Sequence, residues 1–158
     1  MTQGSDEVQL VVFRLGDAEF GFDIFQVERV LRYQVPEPLP AAPAFLQGVL
    51  PYGDGVIPVI DLRQRVGAPA SLSDETRIII VELEQGRVGV VVSAVREVLR
   101  VAAERVTPPP ALVRGLAAAY ISGVVRLEQR TVVVLAASKL LTSTERIALD
   151  ELLVETKR

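Results

Sequence analysis

Asp23 with Asp61, and Glu82 with Glu84, are pairs from which this 158-residue chain could attempt paired-carboxylate chemistry. General acid–base work needs two carboxyl groups held at one site in unlike environments. Nothing in the spacing fixes either pair at a shared site, and acids are abundant in any soluble chain. The other usual tools are missing. Without cysteine there is no thiolate nucleophile, no disulfide and no zinc–thiolate or iron–sulfur centre. Without histidine the commonest general base and transition-metal ligand are lost as well. No catalytic residue, metal set or cofactor is therefore expected. A net charge of −3, with arginines scattered among acids, argues against a nucleic-acid face.

Chemistry of contact is a better prospect. In GVLPYGDGVIPVIDL, residues 48 to 62, two apolar runs flank Pro51-Tyr52-Gly53-Asp54-Gly55. Gly and Asp tolerate the positive φ of tight turns, so the stretch predicts a hairpin with Gly53 and Asp54 at its tip. Pro51 and Pro58 cannot donate to a ladder and should fall at a strand end, an edge or a bulge. Turn chemistry alone accounts for Gly-Asp-Gly. Tyr52 adds a residue type that interface cores favour. Arg29 beside Glu28 reads as a charged strand face, and Asp61 as a helix cap. Ser93 reads as the end of a strand.

The elements that must position these residues occur twice. Residues 13–32 align without gaps on 81–100, with six identities in 20 positions at an offset of 68. Leu15 falls on Leu83, Gly21 on Gly89, Val27 on Val95, and Val30-Leu31-Arg32 on Val98-Leu99-Arg100. Gly48-Val49 and Val59 recur at Gly123-Val124 and Val134, an offset of 75. Each copy reads as a tight hairpin, a third strand, a Pro-bearing crossing and a second hairpin. About five Val- and Ile-rich strands per copy suit a small closed barrel, which removes exposed edges. Two such barrels would share a groove, with the boundary in the breaker-rich stretch from Gly67 to Asp74.

The prolines at 36, 38, 40 and 43 read as a stiff extended crossing. Helix is limited to a short turn after Asp61, a start at Pro109 to Arg114, and a terminal helix. There Thr142 and Glu145 have capping-box spacing, and Leu149, Leu152 and Leu153 form a stripe. No apolar run approaches the roughly 20 residues of a membrane helix, and the first residues do not resemble a secretory signal. A cytoplasmic location is expected.

With these elements in place, the chain resembles the CheW-like domain family. Leu39-Pro40-Ala41-Ala42-Pro43-Ala44-Phe45-Leu46-Gln47-Gly48-Val49 is similar to its LP-x-x-P-x-F signature. Val56-Ile57-Pro58-Val59-Ile60-Asp61-Leu62-Arg63 is similar to its VIPVIDLR segment. Phe13 to Ile24 and Tyr120-Ile121-Ser122-Gly123-Val124 also fit, so the likeness spans roughly residues 10 to 141. It implies a mainly β protein of two pseudo-repeated, five-stranded SH3-like β-barrels with a few short helices and a C-terminal helix. The CheW-like domain would occupy 8–141, with barrels near 8–68 and 76–141 and the helix at 142–158.

The resemblance implies a non-catalytic adaptor that couples the cytoplasmic tips of chemoreceptors to the regulatory domain of a CheA-type histidine kinase. Neither nucleic-acid binding nor membrane insertion is implied. Partner-binding residues are expected at Val27, Arg29, Gly48, Tyr52, Gly53 and Asp54. Several positions depart from the family pattern. Gly53 stands where the family's tip arginine is expected, Arg29 where a glutamate is common, and Ser93 where an aspartate is frequent. The alternatives are an adaptor of another array, serving a pilus or gliding system, and a small-molecule-binding barrel. An internal cavity would favour the ligand reading, and apolar outer strand faces the adaptor.

Overall fold

The structure, a computed structural model, describes residues 6–84, 86–109 and 120–156, with side chains up to residue 152. Its strands are β1 (Glu7–Leu15), β2 (Ala18–Asp23), β3 (Val27–Arg32), β4 (Leu46–Tyr52), β5 (Gly55–Asp61) and β6 (Arg77–Leu83). They continue with β7 (Gly86–Val92), β8 (Ala94–Ala102), β9 (Val106–Thr107), β10 (Ile121–Arg126) and β11 (Thr131–Leu135). Among the described residues two helices, α1 (Leu62–Arg65) and α2 (Ser143–Thr156), accompany the strands together with short 3₁₀ turns. The mainly β, two-barrel class expected from the sequence is what the chain adopts.

The strands do not sort by sequence half. One sheet runs β3-β6-β7-β5-β4, and the other β8-β1-β2-β11-β10-β9. The division into barrels at 8–68 and 76–141 is therefore corrected: each repeat lends its first hairpin to the other repeat's sheet. The cause is local. After β2, a single 3₁₀ turn at Ile24–Gln26, capped by the Asp23 carboxylate on Phe25 N at 3.0 Å, redirects the chain into the opposite sheet. After β7, Ser93 makes the corresponding step, its N–H donating to Arg14 O and its Oγ accepting from Gly16 N. The sequence offset cannot reveal this exchange, because pairing within a repeat and pairing across repeats bury the same faces.

The repeat itself is obeyed to the residue. Val59 of β5 pairs in parallel with Gly89 of β7, and Val134 of β11 with Gly21 of β2. Gly48 and Gly123 each follow a register shift and each face the same partner, Val59 or Val134. At both glycines a neighbouring segment passes too closely for a side chain. A Cβ on Gly48 would lie 2.4 Å from Glu37 O, and one on Gly123 2.7 Å from Val106 Cγ1.

Alternation along the strands builds three cores. Leu50, Ile57, Val59, Ile78, Ile80 and Val91 fill one barrel. Leu10, Val12, Val101, Val125, Val132 and Val134 fill the other. The opposite faces of the same strands, including Phe13, Phe22, Ile79, Val81 and Val90, meet in a larger core between the sheets. β6 shows why its sequence is continuously apolar: Ile78 and Ile80 face its own barrel while Ile79 and Val81 face the shared core. The expected groove between barrels is thus filled by side chains.

Pro51 sits in β4 at the tip, as expected for an edge strand. Pro58 lies in an inner strand, yet at a local edge. Val49, its cross-strand neighbour, gives both its N–H and C=O to Glu37, and pairing of β5 with β7 begins only at Val59. No ladder bond is lost there. The Pro-rich crossing is not uniformly extended. It contains turns closed by Ala42 N to Leu39 O and Leu46 N to Pro43 O, with Ala41 at φ 56°.

Asp61 does cap α1, accepting from Arg63 N, but it also grips the Arg63 guanidinium by two bonds of 2.9 Å in a buried pair. Arg63 Nη1 then donates to Ser71 O at 2.7 Å, tying the connector to the sheet. The Thr142–Glu145 capping box forms reciprocally, at 3.0 and 3.1 Å. Leu149 is buried and Leu152 packs on the shared core, while the Leu153 side chain lies outside the described residues. The helix start expected near Pro109 falls, from Pro110 onward, outside them too. Among the described residues no helix is long and apolar enough to cross a membrane.

Candidate partner-binding site

The β4–β5 hairpin closes in two residues. Tyr52 pairs with Gly55, and Gly53 takes φ 60° while Asp54 does not enter the positive region. A lone positive φ at the first turn residue is what a type II′ hairpin demands, and glycine meets it without strain. The turn holds Tyr52 at the mouth of its barrel, where the ring packs on the apolar filling.

Two other strands complete the mouth. Glu28 is the residue skipped by the β3–β6 register shift between Val27 and Arg29, so it bulges from its strand. Its carboxylate accepts the Tyr52 hydroxyl through one oxygen. The other oxygen accepts Arg87 Nε at 2.6 Å. The Arg87 guanidinium also lies over the Tyr52 ring, 5.9 Å from its centroid. The Tyr52 hydrogen bond is the main cause that holds the Glu28 carboxyl below the usual range, with burial opposing and Arg87 assisting. Reciprocally, the Glu28 carboxylate pushes the Tyr52 phenol above its ordinary value.

A groove of about 1110 Å³ opens here, lined by Arg29, the hairpin tip, Glu82, Arg87 and, from the C-terminal segment, Leu141 and Leu149. It is open surface against a filled barrel. The mouth of the second barrel has a counterpart of about 540 Å³, bordered by Arg14, Glu19, Arg96 and Arg130. There Glu19 meets Arg130 at 3.3 Å and Arg96 at 3.8 Å, and Arg130 also binds Glu97.

Of the residues expected to bind partners, Arg29, Tyr52, Gly53 and Asp54 come together at the groove. Val27 is half-buried and packs on the shared core. Gly48 is buried beneath Glu37 and lets that segment pass close over β4, a correction to its expected place on the binding surface. Sequence reasoning missed Arg87 and gave Glu28 no role, since they meet across 59 residues; the only available signal was the repeat, which sets Arg87 opposite Glu19. Of the acid pairs, Asp61 is spent on Arg63 and Asp23 on its cap, while Glu82 and Glu84 border the groove. Apolar outer positions are present, with Val30 and Val98, equivalent in the repeat, both exposed.

Paired filled barrels with polar mouths define a binding scaffold of the SH3-like two-barrel class. The sequence matches the CheW-like domain over residues 9–145, and the chain belongs to that family. It is 33% identical over 150 residues to the Chemotaxis protein CheW of Treponema pallidum, covering 92% of this chain and 88% of the relative. It is 32% identical over 149 residues to Protein FrzA of Myxococcus xanthus, covering 92% of each. Among solved structures it is similar to the scaffolding protein TtCheW from Thermoanaerobacter tengcongensis. That likeness has a TM-score of 0.76 and 31% identity, and covers 83% of this chain and 90% of that one.

Proposed function

We propose that this chain is a non-catalytic adaptor of a bacterial chemosensory system, joining chemoreceptor cytoplasmic tips to the regulatory domain of a CheA-type histidine kinase. It acts in the cytoplasm, where those tips lie. The observation that carries the reading is the hydrogen-bonded mouth built by Tyr52, Glu28 and Arg87 on a barrel with a filled interior. Such a surface is preorganised for a protein partner, and a filled barrel offers no enclosed space for a small ligand. Arg29, Tyr52, Gly53 and Asp54 form the contact surface, while Val27 packs on the shared core.

The experiment is sedimentation of the chain mixed with its cognate kinase regulatory domain. A specific patch of standard size buries roughly 800 Å² per partner, so a discrete complex is expected. Absence of association at high micromolar concentration would overturn the reading.

The tip favours a second reading, an adaptor of another array such as a pilus or gliding system. Gly53 carries no side chain and Arg29 is a base, so a contact made by an arginine and a glutamate is unavailable here. Reconstituting a foreign receptor–kinase array with this chain as sole adaptor separates the two. Full kinase activation supports conventional coupling, and failure despite binding of its own kinase domain supports the second.

A further inference from the structure

The two barrel mouths occupy equivalent places in the repeat, yet the charges at four equivalent positions are exchanged, with Arg130 of the second mouth falling on Gly55 of the first. Glu28 and Arg96, 68 residues apart, are both bulge residues: the β3–β6 ladder skips Glu28 and the β8–β1 ladder skips Arg96. The cross-strand pair Glu82↔Arg87 of β6–β7 corresponds to Arg14↔Glu19 of β1–β2 with both signs reversed. Arg29, paired with Ile80, corresponds to Glu97, paired with Val12. Within each mouth the bulge residue still meets its partner two strands away, Glu28 with Arg87 and Arg96 with Glu19. A charge pair thus spans this place in both mouths, in opposite directions.

Resting on the adaptor reading, we propose that this inversion is what makes the chain's two pseudo-equivalent docking faces distinguishable. Without it, two mouths built on one strand arrangement would offer a partner the same charge pattern, and only their unequal grooves of about 1110 and 540 Å³ would tell them apart. With it, a surface presenting a carboxylate to Arg29 and a base to Glu82 at the first mouth meets like charges, Glu97 and Arg14, at the second. Like-charge juxtaposition at a docking interface is a strong discriminator. Arg29 is suited to read the partner because it is exposed and has no ion pair among the described residues, whereas Glu97 is already held by Arg130. The first mouth takes the kinase regulatory domain, and the specificity-determining residues are Glu28, Arg29, Glu82 and Arg87.

The test uses the chain's lack of cysteine. A single thiol is introduced at Glu84→Cys beside the first mouth or at Asp17→Cys beside the second, labelled with an environment-sensitive dye, and titrated with the cognate regulatory domain. In the parent chain the Glu84 label should report binding at the lower concentration. The double exchange Glu28→Arg with Arg87→Glu reverses the internal ion pair and also takes the acceptor from the Tyr52 hydroxyl, so Arg29→Glu, which leaves that bond in place, is read beside it. The double exchange should weaken the response at the Glu84 label by at least about tenfold, the scale expected for introduced like charges. Arg29→Glu, which has no internal partner to lose, should act in the same direction if the double exchange fails to fold. An unchanged titration in both variants overturns the proposal while leaving the adaptor reading intact. No response from either label in the parent chain sinks the adaptor reading, and this one with it.

Discussion

Tyr52 and Glu28 lie 24 residues apart in sequence and are joined by one hydrogen bond, the phenol donating to the carboxylate. The bond requires an ionised Glu28 and a neutral Tyr52, and each group shifts the other accordingly. Because Glu28's pKa is lowered in the folded chain, its contribution to stability is present above the ordinary carboxylate pKa and is lost as pH falls through the lowered value. Because Tyr52's is raised, its contribution is present below the ordinary phenol pKa and is lost as pH rises through the raised value. Ultraviolet titration of the chain's three tyrosines should thus show one ionising late. Glu28→Gln should bring that tyrosine earlier. Identical titrations in parent and variant would sink the assignment.

The glycines separate backbone crossings from turns. Gly48→Ala should cost about 1–3 kcal/mol, because φ is 149° and the new Cβ meets a carbonyl at 2.4 Å. Gly123→Ala, set against Val106 and Thr107, should fall in the same range. Gly53→Ala meets open space and should lose only the left-handed penalty, about 1–2 kcal/mol, with binding altered rather than the core. Urea unfolding midpoints rank the three, and a larger loss at Gly53 than at Gly48 would contradict the packing described.

The Asp61–Arg63 pair is buried on both sides, so removing one member strands the other. Arg63→Met should destabilise by about 3–5 kcal/mol, the usual cost of breaking a buried pair. Asp61→Asn should cost less, since the amide oxygen can still accept from Arg63 N. A double-mutant cycle measured by thermal unfolding should show strong coupling between the positions, and additivity would refute the pairing.

Arg65 fixes the start of α2. Its guanidinium binds Glu145 at 2.9 Å and lies 5.7 Å from the Phe45 ring and 6.0 Å from the Tyr120 ring. Glu145 also closes the capping box, so Glu145→Ala removes two functions, whereas Thr142→Ala removes only the cap, worth about 1 kcal/mol. Hydrogen exchange in α2 should accelerate more in the first variant than in the second. Equal acceleration would mean that Arg65 contributes nothing to holding the helix.

Local signals in the sequence were faithful. The turns at Gly53-Asp54, the equivalence of Gly21 with Gly89, the cap at Asp61 and the Thr142–Glu145 box each depend on a few neighbouring residues, and each is present. What the sequence concealed is non-local. Exchange of the first hairpins leaves every buried face buried, so hydrophobic pattern cannot register it. Arg87 reaches Glu28 only because β6 brings β7 beside β3, and Asp61 chooses Arg63 over solvent only because both are enclosed. The Tyr52 ring, beside the hairpin tip, is half-buried on the barrel filling, so Tyr52→Ala should lower the melting temperature as well as weaken binding.

The most direct test of the account is hydrogen exchange of the chain with and without saturating kinase regulatory domain. Slowed exchange is expected in β3, at the β4–β5 tip around Tyr52 to Gly55, and at the start of β7 around Arg87. Saturating partner with unchanged exchange at all three, or protection confined to the mouth bordered by Glu19 and Arg130, would contradict it.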